Sequence, residues 1–438
     1  MSGHRGLSSR LKEQLIRQSL RRKQDQIEQP DRGGSVTGAA GTPTDFTTHP
    51  SYQQLQVLRE GGERLGVGDP FFRLHEGCAG AITRIGGREV INFSNYNYLG
   101  LCGNPAVSAA AKEAVDRYGT SVSASRIVSG ERPLHQHLER ALADAYGVEA
   151  AVAFVSGHAT NVSTIGHLLQ GGDLILHDEL IHNSTLVGAQ LSGAARMSFP
   201  HNDLGALEQL LREQRPRFRR ALIVVEGLYS MDGDYPDLTR LVALKQQHQC
   251  WLMVDEAHSF GVMGERGLGI REHFGLDGAD VDIWMGTLSK SLASCGGYIA
   301  GSQPLVDILR NFAPGFLYSV GMPPAMAAAA SAALKTMLAE PERVQRLQAR
   351  SKTFLSLVEQ AGFDTGPDCA GLAVVPIITG NSVKAVRWSE SLLDAGINVQ
   401  PILYPAVQER NARLRFFLSS EHTEEQLRQA ASALQDLS

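Results

Sequence analysis

Two stretches of the sequence decide its fold: TLSKSLASCGG, residues 287–297, and VDEAHSFG, residues 254–261. The first places Lys290 in a hydroxyl-rich run between the apolar segment 281–285 and two glycines, which allow close backbone approach. The second overlaps the apolar run 251–255, which ends in a carboxylate, Asp255. It adds an imidazole, His258, three residues later. We expect both apolar runs to be short buried strands, so that lysine, carboxylate and imidazole meet where two strands end.

These three groups are the ones that pyridoxal phosphate requires. A lysine forms a Schiff base with the aldehyde, a carboxylate keeps the pyridine nitrogen protonated, and an imidazole hydrogen-bonds the ring oxygen. Taken singly, Lys290 would be an ordinary surface lysine and Asp255 an ordinary helix cap. Their combination at two strand ends favours a cofactor site.

Composition sets bounds on the fold and on the partners. The 438 residues are 43% hydrophobic, enough for one large domain and one or two smaller ones. A net charge of -5 gives no general attraction to nucleic acid. Five cysteines without CxxC spacing favour free thiols in a reducing compartment, and we expect no metal site. We find no apolar run of membrane-spanning length and no signal-peptide core, so the expected location is the cytoplasm.

The first 48 residues differ from the remainder. Residues 5–23 carry seven Arg or Lys against one acid, with Leu and Ile at helical spacing, and a Gly/Thr/Pro linker follows. This pattern predicts a basic amphipathic helix on a flexible tether in residues 1–48. A disordered extension, a docking helix for an acidic protein and a membrane-surface helix remain as alternatives.

Short Val/Ile/Leu runs alternate with helical stretches through the middle of the chain. This alternation predicts an α/β fold with a mostly parallel sheet covered by helices. The predicted strands are 151–155, 174–177, 221–226, 251–255, 281–285 and 298–300. We predict an N-terminal segment at 49–100, a large domain at 101–334 and a small α+β domain at 335–438. Local signals add a hairpin at 81–93, a helix that begins at Pro133, and a capping box of Thr423 and Gln426.

Further polar residues fall at the carboxyl ends of these strands, where ligands of such sheets bind. Gly157 and His158 open a helix, so their amides can hold a phosphate, and Thr287 can add a hydroxyl. His182 can serve as a flat partner for a pyridine ring, and Ser230 lies in a glycine-bounded loop. Alone, His182 would be a structural histidine and Ser230 a turn residue.

Two other segments carry candidates for substrate contacts. Residues 411–418 alternate as a strand that places Arg413 and Arg415 on one face, where a guanidinium can clamp a carboxylate. Two solvated arginines are the alternative. Tyr96, in NFSNYNYLG at 92–100, lies at a strand-to-loop junction and can face a ligand or simply form a turn.

From about residue 51 to the C-terminus, these residues closely resemble the α-oxoamine synthases, a pyridoxal-phosphate family of fold type I. The resemblance implies that Lys290 is the catalytic Schiff-base lysine, Asp255 the pyridinium partner and His258 the partner of the ring oxygen. It also implies that His182 stacks on the cofactor and takes part in catalysis. The remaining implied roles are phosphate contacts for Gly157, His158 and Thr287, a ring contact for Ser230, substrate binding for Arg415 and Tyr96, and a contact across a dimer interface for Ser319.

Three positions depart from the biotin-pathway members of that family. Tyr96 stands where those members have Asn, His158 where they have Phe, and Ala406 where they have a hydroxyl residue near the substrate. The departures argue against the biotin-pathway substrate. The strings YNYLG at 96–100 and TSVSASRIVSGE at 120–131 look more like serine palmitoyltransferase and the synthase domains of polyketide assembly lines. The basic N-terminal helix would then suit an acidic acyl carrier protein.

The sequence therefore predicts a homodimeric enzyme that condenses an α-amino acid with an acyl thioester, on coenzyme A or on a carrier protein. Loss of carbon dioxide would give an α-amino ketone. The second interpretation is an aminotransferase of the same fold. A third is a cofactor-binding docking protein without turnover, and the complete set of Lys290, Asp255, His258 and His182 argues against it. Neither the amino acid nor the acyl chain is identified.

Overall fold

The computed structural model describes residues 44–64 and 66–437. The chain divides into two compact units, Met1–Asp69 and Pro70–Ser438. In the first unit, a short 3-10 turn at Phe46–Thr48 precedes helix α1 at Pro50–Arg64. The predicted basic helix and most of its tether lie outside the described residues, and the predicted domain boundaries stay predictions.

The remaining elements all belong to the second unit. Its strands are β1 (Ile82–Ile85), β2 (Arg88–Asn92), β3 (Ala150–Phe154), β4 (Leu174–Asp178), β5 (Ala195–Phe199), β6 (Ala221–Glu226), β7 (Trp251–Asp255), β8 (Ile283–Thr287), β9 (Gly297–Gly301), β10 (Val374–Ile378), β11 (Ile397–Asn398), β12 (Gln400–Ile402) and β13 (Arg413–Phe417). Its helices are α2 (Pro105–Tyr118), α3 (Pro133–Tyr146), α4 (Gly157–Leu168), α5 (Asn183–Ser192), α6 (Leu204–Gln214), α7 (Leu238–His248), α8 (Gly269–Phe274), α9 (Gln303–Phe312), α10 (Pro314–Leu317), α11 (Pro324–Ala339), α12 (Glu342–Gln360), α13 (Ser382–Asp394) and α14 (Glu424–Gln435).

A seven-stranded sheet with the order β3-β9-β8-β7-β6-β4-β5 forms the centre of the unit. Strand β9 runs antiparallel to β3 and β8, and the other pairings are parallel. Every residue of β6 is buried; Leu222 and Val224 join one apolar cluster while Ile223 and Val225 join another. A strand buried on both faces is typical of a parallel sheet between helices, and the predicted fold class is confirmed.

The sequence missed β5, an edge strand whose first four residues alternate between partly buried and exposed. Its Arg196 and Ser198 interrupt the apolar run that marked the other strands. Strand β8 begins and ends two residues later than predicted, so it reaches Thr287 inside the hydroxyl-rich run. Lys290 therefore lies three residues beyond the strand end.

Two smaller sheets accompany the large one. Strands β10, β13 and β12 pair antiparallel in that order. The predicted hairpin is confirmed as β1 and β2, and β2 also pairs in parallel with β11, more than three hundred residues later in the chain. One sheet thus joins the beginning and the end of the second unit.

The predicted local signals at two helices are confirmed. Helix α3 begins at Pro133. At α14, Gln426 N donates to Thr423 Oγ1 at 3.2 Å, and Thr423 N donates to Gln426 Oε1 at 2.9 Å. Among the helices that the structure describes, none combines the length and apolar character that a bilayer crossing requires.

An imidazole between two carboxylates ties strand β4 to the loop after β6. His201 Nδ1 lies 2.9 Å from Asp178 Oδ1, and its Nε2 lies 2.8 Å from Asp234 Oδ2. Burial alone would lower the pKa of His201, but the hydrogen bonds to Asp178 and Asp234 outweigh it and raise that pKa to about 10. His201 is thus a cation at neutral pH and holds the carboxyl edge of the sheet together.

Candidate active site

Three ionisable side chains meet at the carboxyl edge of the central sheet. Glu226 ends β6, Asp255 ends β7 directly opposite it, and Lys290 follows β8. Strand β9 starts at the same edge, since Gly297 pairs with Thr287. The structure thus brings together the lysine and the carboxylate that the sequence singled out.

Lys290 is half-buried in a tight loop. Its Nζ lies 5.5 Å from the centroid of the Tyr96 ring. Burial lowers the pKa of Lys290 to about 8 and outweighs the nearby Asp255 and Glu226 charges, which act in the opposite direction. The lowered pKa makes the neutral amine accessible near physiological pH, and that form can act as a nucleophile and as a base.

Residues 288–294, which follow β8 and carry Lys290, form a loop with some backbone strain; we call it the lysine loop. Ala293 N donates to Lys290 O at 2.9 Å, and Ser294 N donates to Leu288 O at 2.9 Å. The turn requires a φ of 48° at Ala293, the left-handed region that L-residues other than glycine avoid. Interlocked hydrogen bonds therefore hold Lys290 in place at a local conformational cost.

Asp255 is buried and accepts hydrogen bonds from neutral donors. Asn161 Nδ2 donates to its Oδ2 at 2.8 Å, and Ala257 N donates to its Oδ1 at 2.9 Å. Within residues 44–64 and 66–437, no Lys, Arg or His forms an ion pair with Asp255. A buried carboxylate without a cation is costly, and a protonated pyridine nitrogen would supply that cation.

Glu226 is a member of this site that the sequence reasoning did not select. Burial and the Asp255 charge raise the pKa of Glu226 to about 8. At neutral pH Glu226 is therefore mostly protonated. An acid at a strand end was visible in the sequence, but its distance from Asp255 was not.

Three imidazoles line the edge. His258 is buried, its Nδ1 lies 2.7 Å from Tyr98 Oη, and burial followed by the Lys290 charge puts its pKa well below the ordinary value. His182 is exposed at the start of α5, with Nδ1 2.7 Å from Ser184 Oγ. His158 is also exposed, and its ring meets that of His182 edge-on at 6.4 Å. These exposed rings can cover a flat ligand.

The start of α4 forms a candidate phosphate site. Ser156 Oγ accepts from Ala159 N at 3.3 Å, while the amides of Gly157 and His158 have no acceptor among the described residues. A Cβ added at Gly157 would lie 2.9 Å from Thr287 Oγ1, so only glycine fits there without displacing the hydroxyl. Free amides at a helix N-terminus beside a hydroxyl suit a phosphate.

The two candidate arginines have different environments. Arg413 is buried and donates to Asp232 Oδ1 at 2.6 Å and to Met231 O at 2.8 Å. Arg415 donates through Nη1 to Ser230 O at 3.1 Å, and its buried Nε has no hydrogen-bond partner in the part of the chain that the structure describes. Of the two, Arg415 is the one with a donor left for a carboxylate.

Tyr96 and Ser230 lie beside Arg415, and Ser319 lies apart. The Tyr96 ring is 39% exposed and packs edge-on against Phe417 at 4.8 Å. Ser230 contributes its carbonyl to Arg415. Ser319 has no hydrogen bond to any other candidate within the described residues, and its neighbour Tyr318 is 86% exposed.

Together these features fit pyridoxal phosphate. The α4 amides and the Thr287 hydroxyl would hold its phosphate, Asp255 its ring nitrogen and Lys290 its aldehyde. By contrast, no group of three or more His, Cys, Asp or Glu in the described ranges has an arrangement that could bind a metal ion.

Comparisons with known proteins agree with this assignment. The family described as aminotransferase class I and II matches residues 88–434. An 8-amino-7-oxononanoate synthase from Geobacter sulfurreducens is 43% identical over 384 residues, which cover 87% of this chain and 96% of that protein. A Sphingomonas wittichii serine palmitoyltransferase structure matches with a TM-score of 0.85 at 31% identity, covering 90% of this chain and 98% of that one. A serine palmitoyltransferase structure that contains pyridoxal phosphate matches with the same TM-score and coverage at 30% identity. This chain belongs to the aminotransferase class I and II family and, within it, to the pyridoxal-phosphate-dependent α-oxoamine synthases.

Proposed function

We propose that this enzyme joins an α-amino acid to an acyl group carried on an acyl carrier protein and releases carbon dioxide, giving an α-amino ketone. One observation carries the proposal: Lys290, with its lowered pKa, and Arg415, whose Nε has no partner in the described part of the chain, flank the same sheet edge. An amino acid needs both, because its carboxylate must be held while its Cα proton is removed.

The reaction forms a bond between the amino acid Cα and the acyl carbon. It breaks the thioester C–S bond, releasing a thiol, and the bond from Cα to the carboxylate, releasing carbon dioxide. Bound pyridoxal phosphate supplies the electron sink that makes the Cα carbanion accessible.

The chain's own residues then position the substrates and move the protons. Lys290 Nζ takes the Cα proton and later returns one, a task suited to a pKa of about 8. Arg415 holds the amino acid carboxylate through its guanidinium. Asp255 would pair with the ring nitrogen, the mostly protonated Glu226 adds little negative charge beside it, and His182 would cover the ring face.

An aminotransferase of the same family is the second candidate, since the matched family carries that name. The two activities differ in their products. Incubation of the holoenzyme with amino acids and acyl thioesters should release thiol and carbon dioxide in equal amounts, and Lys290→Ala should release neither. Conversion of the cofactor to pyridoxamine phosphate with a keto acid requirement, without thiol, would favour the aminotransferase.

A homodimer is the second part of the proposal. The loop with Ile127 and Val128 and the segment with Tyr318 and Val320 lie side by side, joined by a β-bridge between Ser125 and Val320. All four apolar side chains are exposed, Val128 to 78%. A second copy would cover them and bring Ser319 toward its partner's site.

Substitution of this patch tests the dimer. Tyr318→Glu should shift the sedimenting species from dimer to monomer and reduce cofactor retention. The matched control is Phe72→Glu, which changes a 98% exposed aromatic residue elsewhere in the unit and should leave the dimer intact. A wild-type protein that sediments as a monomer at micromolar concentration would refute this part.

The carrier-protein part of the proposal rests on charge. The chain has a net charge of -5, yet residues 5–23 carry seven basic side chains, which complement an acidic carrier. Removal of residues 1–45 should raise the KM for a carrier-bound acyl group, more at low salt than at high, and leave a coenzyme A thioester nearly unaffected. Equal effects on both thioesters would instead assign the segment to folding or assembly. A cytoplasmic location is also proposed, and the five free cysteines support it.

A further inference from the structure

We propose that Asn161 and Ser184 form a hydrogen-bond relay from Asp255 that fixes the tautomer of His182, with Nδ1 as an acceptor and the proton on Nε2. Both are positioning residues, since they act through His182. The relay itself is independent of the reaction; only the use of the Nε2 proton during condensation rests on the proposed function.

The relay begins at Asp255, whose carboxylate can only accept hydrogen bonds. Asn161 Nδ2 lies 2.8 Å from Asp255 Oδ2, which fixes the orientation of the amide, since the opposite orientation would place Oδ1 against the carboxylate. The second Nδ2 proton is directed at Ser184 Oγ, 2.9 Å away. Among the residues that the structure describes, buried Asn161 Oδ1 has no hydrogen-bond partner, so the two donor contacts hold this orientation.

Ser184 connects Asn161 to the imidazole of His182 and sets the direction of the next hydrogen bond. Because Ser184 Oγ accepts from Asn161, its single proton is free to point at His182 Nδ1, 2.7 Å away. The backbone amide of Ser184 also donates to Nδ1, at 3.3 Å. Two donors aimed at one ring nitrogen exclude a proton from it, so the neutral imidazole carries its proton on Nε2.

The surroundings hold His182 in the neutral form. Asn161 on α4 and Ser184 on α5 are both buried, which keeps water away from the relay. The charged and titratable groups that face His182 are Asp255, Lys290, His158 and Arg415. Although part of its ring is exposed, partial desolvation lowers the pKa of His182, and Lys290, His158 and Arg415 add to this effect against Asp255. The substrate side therefore meets a neutral ring with one in-plane donor.

The relay predicts a directly observable tautomer. In holoenzyme labelled with ¹⁵N-histidine, the His182 signals, assigned with a His182→Gln variant, should show only the Nε2-protonated form between pH 6 and 9. Ser184→Ala should give a mixture of both tautomers, because one of the two donors to Nδ1 is lost. Ser184→Thr, which keeps the hydroxyl, should restore the single form.

Thr185→Val is the matched control. Thr185 is the next residue of α5, and its buried hydroxyl has no hydrogen-bond partner among the described residues. This variant should leave the His182 tautomer unchanged. In turnover, Ser184→Ala should lower kcat about 10- to 100-fold and leave the amino acid KM within about twofold, the pattern of a lost donor that acts after binding.

Several outcomes would overturn the relay: an Nδ1-protonated or doubly protonated His182 in the wild-type enzyme at pH 7, or a Ser184→Ala spectrum identical to wild type. If Ser184→Ala fails to fold, Asn161→Ala must produce the mixed tautomers instead. Absence of thiol release together with the expected spectra would refute the proposed function and leave the relay intact.

Discussion

Replacement of Arg415 by lysine should raise the KM for the amino acid and leave the fold intact. Arg415 Nη1 is held by Ser230 O at 3.1 Å, which leaves the remainder of the guanidinium to bind a carboxylate. Lysine keeps the positive charge but cannot hold Ser230 and a carboxylate in the same geometry. One lost charge-assisted hydrogen bond is worth about 1.5–3 kcal/mol, which corresponds to roughly a 10- to 150-fold higher KM.

Arg413→Lys is the matched control, two residues away on the same strand. Its guanidinium donates to Asp232, Met231 and Asn411, all within the protein. Loss of part of this buried network should lower the free energy of unfolding by about 1–3 kcal/mol and change the amino acid KM less than twofold. The two substitutions should therefore have different effects. Arg413→Lys should lower stability, and Arg415→Lys should lower the affinity for the amino acid.

Two assays decide the question. Thiol release measured against amino acid concentration, at saturating thioester, gives the KM of each variant. Urea unfolding followed by tryptophan fluorescence gives the stability. An unchanged KM in Arg415→Lys, or equal KM increases in both variants, would show that Arg415 does not bind the carboxylate.

Three further predictions concern the lysine loop and the sheet edge. Lys290→Ala should abolish the visible absorption band of the cofactor–lysine adduct in the purified holoenzyme. A band that survives would show that another residue binds the cofactor aldehyde. His201→Gln should lower the unfolding free energy, measured by urea unfolding, by about 3 kcal/mol near pH 7. The pKa of His201 is about 10 in the folded state and 6.5 in the unfolded state. The loss of stability should therefore be greatest below pH 6.5 and shrink as the pH rises through 10. A cost that stays constant with pH would mean that His201 does not titrate in this range. Ala293→Gly should raise the unfolding free energy by about 0.5–1 kcal/mol, since glycine adopts the positive φ without strain; a loss of stability would contradict the strain inferred there.

The sequence predicted the centre of the site because strand ends are local features. Apolar runs of four or five residues marked β7 and β8, and the polar residues that follow them had to lie at one edge of a parallel sheet. Strand β5 was not predicted, because exposed polar residues at the sheet edge interrupt the apolar run by which the other strands were recognised.

The supporting residues could not be predicted in the same way. Asn161 and Ser184 lie on different helices, and each is an ordinary helical polar residue until α4 and α5 pack together. The choice between Arg413 and Arg415 depended on Asp232, which is distant in sequence and pairs with only one of them. Glu226 gained its raised pKa from Asp255 on the adjacent strand, a proximity that only sheet order reveals.

The pairing of β2 with β11 has a consequence for synthesis on the ribosome. Ile91 pairs with Ile397, and Phe417 N donates to Phe93 O at 2.9 Å, so the segment that carries Tyr96 is anchored by residues near the end of the chain. The central strands and the lysine loop leave the ribosome before those anchors exist. At about 5–20 residues per second, the 107 residues that follow Lys290 up to Ile397 take about 5–20 seconds to emerge. During that interval the nascent chain has its lysine but lacks the anchors of the segment that carries Tyr96, and an unpaired β2 edge stays exposed for chaperones to protect.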